Sequence, residues 1–149
     1  MAGFDAHIYS NNNEIQKFDA NDILNSCLSF TEWSPSETIM DVGTGDGTVL
    51  FDVLLPKLPP DFKKLVALDI NPDMLLLAES KSRQNEKIEF VCLDIATKNL
   101  PPRFHSDFDH IFSFYCLHWV ADQRYVLDDF SSLKKRIVVE ELSKICILC

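Results

Sequence analysis

The sequence predicts an α/β fold: a parallel sheet with helices on both faces. Three observations carry this. Short apolar runs alternate along the chain with segments of helical periodicity. A glycine-rich turn, Asp41-Val42-Gly43-Thr44-Gly45-Asp46-Gly47, joins one apolar run to one helical pattern. Leu65-Val66-Ala67-Leu68 is continuously apolar, as a strand covered on both faces must be.

The elements follow in order. Residues Glu14 to Phe30 read as a helix, because Ile15, Phe18, Ile23, Leu24, Cys27 and Leu28 recur at helical intervals, and Asn11-Asn12-Asn13 precede it as capping residues. Thr38 to Val42 is the first strand. Thr48 to about Lys57 is the first crossover helix, with Val49, Leu50, Val53 and Leu54 on one face, and Pro56, Pro59 and Pro60 end it. After the second strand, Asn71-Pro72 opens a helix carrying Met74, Leu75, Leu77 and Ala78. Ile88 to Leu93 and Phe108 to Tyr115 are the third and fourth strands. Asp122 to about Lys134 reads as helical, with Tyr125, Val126, Phe130 and Leu133 on one side. No repeat or linker divides the chain, so residues 1–149 form one domain, with residues 1–35 as an N-terminal helix region.

Composition removes several function classes. A formal net charge of −9 opposes nucleic acid, which needs a basic footprint, and mildly favours a cationic cofactor. No apolar run approaches the ~20 residues of a membrane span, and Met1-Ala2-Gly3-Phe4-Asp5 has no secretory character. Five cysteines without a signal segment suggest reduced thiols in the cytoplasm, with Cys27, Cys92 and Cys116 as small core residues. Cys146-Ile147-Leu148-Cys149 lacks the second ligand pair of a structural zinc site, so no metal is expected.

The glycines are spaced G-x-G-x-G. A dinucleotide fingerprint would place its third glycine where Thr48 stands. That departure favours a nucleoside cofactor without a pyrophosphate, and an acid at the head of the motif, Asp41, suits an ammonium or sulfonium. S-adenosylmethionine meets both conditions. Asp41, Asp69 and Asp94 end three successive strands, where ligands of an open parallel sheet bind. Asp69 is spaced to accept from both ribose hydroxyls. Asp94 can accept from an adenine amine while Ile95 packs on the ring, or it can serve simply as a turn residue. The expected cofactor contacts are Asp41, Gly43, Thr44, Gly45, Gly47, Asp69, Ile70, Asp94 and Ile95.

These motifs resemble the class I, Rossmann-like methyltransferases, and more narrowly the arthropod juvenile hormone acid O-methyltransferases. The narrower likeness lies in Asp41 to Leu50 (DVGTGDGTVL), Val66 to Asp73 (VALDINPD), Phe90 to Ile95 (FVCLDI) and above all Phe108 to Val120 (FDHIFSFYCLHWV) with Asp122-Gln123-Arg124. Tyr9 and Gln16-Lys17-Phe18-Asp19-Ala20 also match, so similarity runs from about Tyr9 to about Leu133. The resemblance implies S-adenosylmethionine as cofactor and a small hydrophobic carboxylic acid, such as farnesoic or juvenile hormone acid, as methyl acceptor. It implies that Gln16 and Trp119 face the acceptor carboxylate. His118 is either a further contact or a packed residue. Phe112, Phe114 and Tyr115 are candidate apolar walls, with one alternating set in the core.

The likeness breaks at the C-terminus. Relatives continue with a Pro-Gly-Gly turn and further strands; here Lys134-Lys135-Arg136 runs into Ile137-Val138-Val139, and the chain stops at Cys149. The expectation is a truncated isoform or incomplete sequence that lacks the outer C-terminal strands. Its tail would form one short strand or a helix, and it would self-associate through an exposed sheet edge. Three functions stay open: a carboxyl O-methyltransferase, a non-catalytic S-adenosylmethionine-binding fragment, and a methyltransferase for another small molecule.

Overall fold

The computed structural model describes residues 13–29, 31–98, 100–104, 108–123 and 126, and the backbone of residues 136–141 and 144–148. The expected helix from Asp122 to Lys134 and the matching Tyr9 lie almost wholly or wholly outside the described residues. Helix α1 is Glu14–Leu28 and helix α2 is Pro72–Lys81. The strands are β1 Thr38–Val42, β2 Lys64–Asp69, β3 Ile88–Cys92, β4 His110–Phe114, β5 Arg136–Glu141 and β6 Lys144–Leu148. They form one sheet in the order β3-β2-β1-β4-β5-β6. All pairs are parallel except β5 with β6.

Strand alternation sorts the core to two faces. Met40 and Val42 of β1 join Val66, Leu68 and Ile111 on one side, with Phe104, Phe108, Leu117 and Val126. Ile39 joins Leu65, Ala67, Phe112 and Phe114 on the other, beneath Ala20, Ile23 and Leu24 of α1. Both faces are covered, which is why β2 reads as an unbroken apolar run. At the far end of the sheet from the glycine turn, His110 and Glu37 pair at 2.8 Å, both buried, with Trp33 against the His110 ring.

Several expectations are corrected. Asn13 stands at the start of α1 but makes no side-chain cap; its amide reaches across to Asp46 instead. Asn71 does cap α2, accepting from the backbone N–H groups of Asp73 and Met74. Ile15 and Phe18, assigned to the inner stripe of α1, are 71% and 73% exposed. Only Ala20, Ile23 and Leu24 of that helix are buried, so the stripe meets the sheet in the second half of α1. The first crossover is not a regular α-helix: Leu50–Leu54 is a π-helical turn that tightens into a 3-10 turn at Leu55–Lys57, where Pro56 has no N–H to offer. Cys92 is exposed, not a core residue, because β3 is an edge strand. The tail makes neither one strand nor a helix. It makes two strands, β5 parallel to β4 and β6 antiparallel to β5. A run of β-branched residues, Ile137-Val138-Val139, suits a strand beside β4.

Candidate functional site

The chain leaves β1 for β2 and then β3 on one side, and returns to β4 on the other. The strand order reverses between β1 and β4, and the carboxyl ends of these strands open a crevice there. The glycine turn fills its floor. Gly43, Gly45 and Gly47 all have positive φ, at 75°, 58° and 77°. Gly43 has a second reason to lack a side chain, since a Cβ would overlap the Cβ and Sγ of Cys116, which follows β4. The N–H groups of Gly43 and Thr44 both donate to the Leu68 carbonyl at 2.8 Å, holding the turn against the end of β2.

Two cavities meet at this turn. The larger, of about 450 Å³, is lined by the turn, by Asp69 to Asn71 and Met74, by Leu93 to Ala96, and by Tyr115, Cys116 and Trp119 to Ala121. The smaller, of about 30 Å³, lies between the turn and the start of α1 and is lined by Asn13, Gln16, Asp41, Thr44 and Asp46, with Val49 and Phe114. Gly43, Gly45 and Tyr115 border both.

The three strand-end acids have distinct environments. Asp69 accepts from Gly45 N–H through Oδ2 and from Asn71 N–H through Oδ1, both at 2.8 Å, so the carboxylate is fixed at the wall of the large cavity. Burial raises its pKa against the pull of those backbone donors. Asp41 is 4% exposed. Burial pushes its carboxyl up to about 7, the Thr44 hydroxyl opposes the rise and Asp69 adds to it. Asp94 accepts from Ala96 N–H at 2.9 Å, so the turn role is met, and it also lines the large cavity beside the buried Ile95. Cys116 lies among these acids. Burial, with Asp69 and Asp41, pushes its thiol up to about 12, which keeps it neutral and excludes a thiolate nucleophile.

The site residues expected from sequence divide between the cavities. Gly43, Gly45, Asp69, Ile70, Asp94 and Ile95 line the large one, and Asp41 and Thr44 the small one. Gly47 lines neither. A Cβ there would press on Phe51 and on Ala78 of α2, so this glycine lets helix and turn approach. Gln16 and Trp119 are not brought to one wall: Gln16 lines the small cavity and Trp119, 81% exposed, the mouth of the large one. His118 lines neither cavity. Its ring lies 4.9 Å from the Trp119 ring, and its Nδ1 is buried with no hydrogen-bond partner. Of the aromatic walls, Tyr115 and Phe114 reach a cavity while Phe112 is core.

Other residues of the site were not expected. Asp46 is 2% exposed and binds Lys81 Nζ at 2.7 Å, the Thr48 hydroxyl at 2.7 Å and the Asn13 amide at 3.2 Å. It ties the turn to both helices. Tyr115 is a non-glycine residue at φ 54°, and its hydroxyl donates to Asp19 of α1. Strain of this kind persists where surroundings hold it, often at functional sites.

A methyltransferase-domain family matches residues 40–136. The chain belongs to that methyltransferase-domain family. It is 36% identical over 132 residues to a juvenile hormone acid O-methyltransferase of Drosophila melanogaster, covering 87% of this chain and 44% of that protein. It is 34% identical over 119 residues to the Bombyx mori protein of the same name, covering 79% and 42%. The chain thus spans less than half the length of these relatives. In fold it resembles a putative S-adenosylmethionine-dependent methyltransferase of Methanococcus maripaludis, with a TM-score of 0.71 at 17% identity, over 95% of this chain and 67% of that one. A second likeness is to an S-adenosylmethionine-dependent methyltransferase of Aquifex aeolicus, with a TM-score of 0.67 at 20% identity, over 95% and 78%.

The family's cofactor is S-adenosylmethionine, and the residues present fit it. The turn carries no side chain at Gly43 or Gly45, Asp69 is held at the wall for hydroxyl donors, Ile95 offers an apolar face, and Asp41 is a buried acid for a cation.

Proposed function

We propose that the chain is an S-adenosylmethionine-dependent O-methyltransferase acting on the carboxylate of a small hydrophobic acid of the sesquiterpenoid kind; the acid in its relatives' names is juvenile hormone acid. The observation that carries the cofactor half of this reading is the glycine turn with Asp69 locked beside it at the strand-order switch. The acceptor half rests on the named relatives and on Trp119 at the mouth of the large cavity.

Bound S-adenosylmethionine supplies an electrophilic methyl group on a sulfonium. The residues around it have simple work. A carboxylate acceptor is already ionised at neutral pH, so no general base is required. The neutral Cys116 thiol does not compete for the methyl group. Trp119 offers its indole N–H to the acceptor carboxylate, and Gln16 offers its amide N–H from the neighbouring cavity. The His118 ring packs at a tilt against the Trp119 ring. Tyr115 and Val120 present apolar surface that excludes water, and orientation in a dry site supplies most of the acceleration. No helix among the described residues is long and apolar enough to cross a membrane. The acidic charge favours an enzyme that does not bind nucleic acid, and the odd cysteine count favours a reducing, cytoplasmic setting.

A second reading is favoured by one observation: the chain covers less than half of each curated relative. On that reading it binds the cofactor without turning it over. Transfer of a radiolabelled methyl group to farnesoic acid separates the two. Methyl ester from this chain supports the enzyme. Ester from a full-length relative but none from this chain, at equal cofactor occupancy, supports the binding fragment. Ester from other acceptor classes alone would move the substrate elsewhere.

A further inference from the structure

One buried carboxylate in the glycine turn gathers donors from both helices. Asp46 lies between Gly45 and Gly47, with its side chain 3% exposed. Its Oδ2 accepts from Lys81 Nζ and from the Thr48 hydroxyl, both at 2.7 Å. Its Oδ1 accepts from the Thr48 N–H and from the Asn13 amide, both at 3.2 Å. The Thr48 hydroxyl accepts in turn from Lys81 at 2.8 Å. Among the described residues Lys81 is the cation that reaches Asp46, from a side chain 36% exposed. Asp46 is thus the desolvated partner, and a buried charge keeps its place only while it is paired and hydrogen-bonded.

Lys81 reaches Asp46 because α2 packs tightly on the turn. Met74, Leu75 and Ala78 are the buried residues of α2, and Lys81 follows Ala78 by three residues on that face. A Cβ on Gly47 would come within 3.0 Å of the Ala78 Cβ and closer still to the Phe51 ring. The third glycine of the turn, which lines neither cavity, is therefore the point of close approach that brings Lys81 to Asp46. A lysine in the last turn also suits the helix dipole, but that role is open to any cation and asks nothing of Asp46. Helix α2 grips the wall of the crevice at both ends: the Asn71 N–H at its start holds Asp69, and Lys81 at its close holds Asp46. Gly45, beside Asp46 in the chain, also donates to Asp69. The placing of Asp69 therefore depends on where Asp46 is held.

We propose that Lys81 is a positioning residue for the cofactor site. Acting through Asp46, its charge fixes the glycine turn against Asp69 and, by way of Asn13, pins the first turn of α1 beside it. The inference rests on the S-adenosylmethionine reading above and extends it to a residue of α2 that lines neither cavity. Lys81 touches no ligand; it sets the position of groups that do. Helix α1 has further ties, from Tyr115 to Asp19 and from Lys17 to Asp52, so loss of the Asn13 contact loosens its opening turn and not the whole helix.

The test combines calorimetric titration with S-adenosylhomocysteine and amide hydrogen exchange of the ligand-free chain. Lys81→Met is expected to weaken S-adenosylhomocysteine by roughly tenfold to a hundredfold, the scale of a hydrogen bond to a charged group. It is also expected to speed exchange at Lys17, whose N–H donates to the Asn13 carbonyl, while Leu65 to Leu68 of β2 exchange as in the parent chain. Lys81→Arg keeps the cation and is expected to retain both parental values. Faster exchange confined to the last turn of α2, with Lys17 and the affinity unchanged, would overturn the proposal in favour of a local role. Equal losses in Lys81→Arg and Lys81→Met would do the same. If Lys81→Met does not fold, Lys81→Met combined with Asp46→Asn removes both charges. The carboxamide offers one acceptor oxygen where the carboxylate offered two, so this chain is expected to fold yet keep fast exchange at Lys17 and weakened binding. Parental exchange and affinity there would count against the proposal. A parent chain that binds no S-adenosylhomocysteine rejects the cofactor reading; one that binds it, with Lys81→Met its equal, rejects the role of Lys81 alone.

Discussion

Asp41 sets a distinctive pH response. Its carboxyl titrates at about 7 in the folded chain against an ordinary 3.8, chiefly because it is buried. Between about pH 4 and about pH 7 the folded protein therefore keeps a proton that the unfolded chain has released. Where the folded state binds more protons, stability falls as pH rises. This group's contribution is most favourable below about pH 4, declines through the window and levels off above about pH 7. At about 1.4 kcal/mol per pKa unit, the full decline is on the order of 4 kcal/mol. Asp69 is also raised by burial and acts in the same direction. Asp41→Asn cannot lose a proton in this range, so the parent-minus-variant difference isolates Asp41. Urea denaturation at several pH values is the assay. The parent is expected to lose stability relative to Asp41→Asn as pH climbs through the window. Parallel curves for the two proteins would refute the reasoning. A cationic ligand beside Asp41 favours the ionised form, so cofactor affinity should rise with pH up to about 7, with a proton released on binding.

Three further outcomes are expected. Gly43→Ala places a Cβ on Cys116 and a side chain at positive φ, so it should cost roughly 2–5 kcal/mol by chemical denaturation, from left-handed strain plus overpacking. A loss under 1 kcal/mol (about the floor for such strain) would mean the turn is not packed as described. Trp119→Phe keeps an apolar ring but removes the N–H donor. It should lower methyl transfer by roughly ten- to a hundredfold, about 1.4–2.7 kcal/mol, with cofactor affinity unchanged; equal turnover would remove Trp119 from the acceptor site. Among the described residues nothing pairs with the outer side of β6, so sedimentation is expected to show self-association through that edge, and a clean monomer would count against it.

The parallel sheet was legible in the sequence because strands covered on both faces leave continuous apolar runs, as at Leu65 to Leu68. The glycine turn was legible because positive φ restricts residue choice, and glycine records it. What escaped depends on partners distant along the chain. Asn13 looks like a helix cap, and only the fold brings Asp46, 33 residues away, within reach of its amide. Lys81 reads as an ordinary last-turn cation of α2 until it meets Asp46. The exposure of Ile15 and Phe18 was hidden because periodicity shows which residues share a face, not what covers it. The two tail strands were ambiguous because Ile137 to Val139 is too short a run for periodicity to separate strand from helix.

The central claim is that the glycine turn and Asp69 bind S-adenosylmethionine. Calorimetric titration of the parent chain and of Asp69→Ala with S-adenosylmethionine and with NAD tests it most directly. Asp69 presents a carboxylate held by two backbone donors, and its loss removes hydrogen bonds to a charged acceptor. The expected result is saturable S-adenosylmethionine binding by the parent, weakened by about 1.5–3 kcal/mol in Asp69→Ala. NAD binding with no response to S-adenosylmethionine would contradict it.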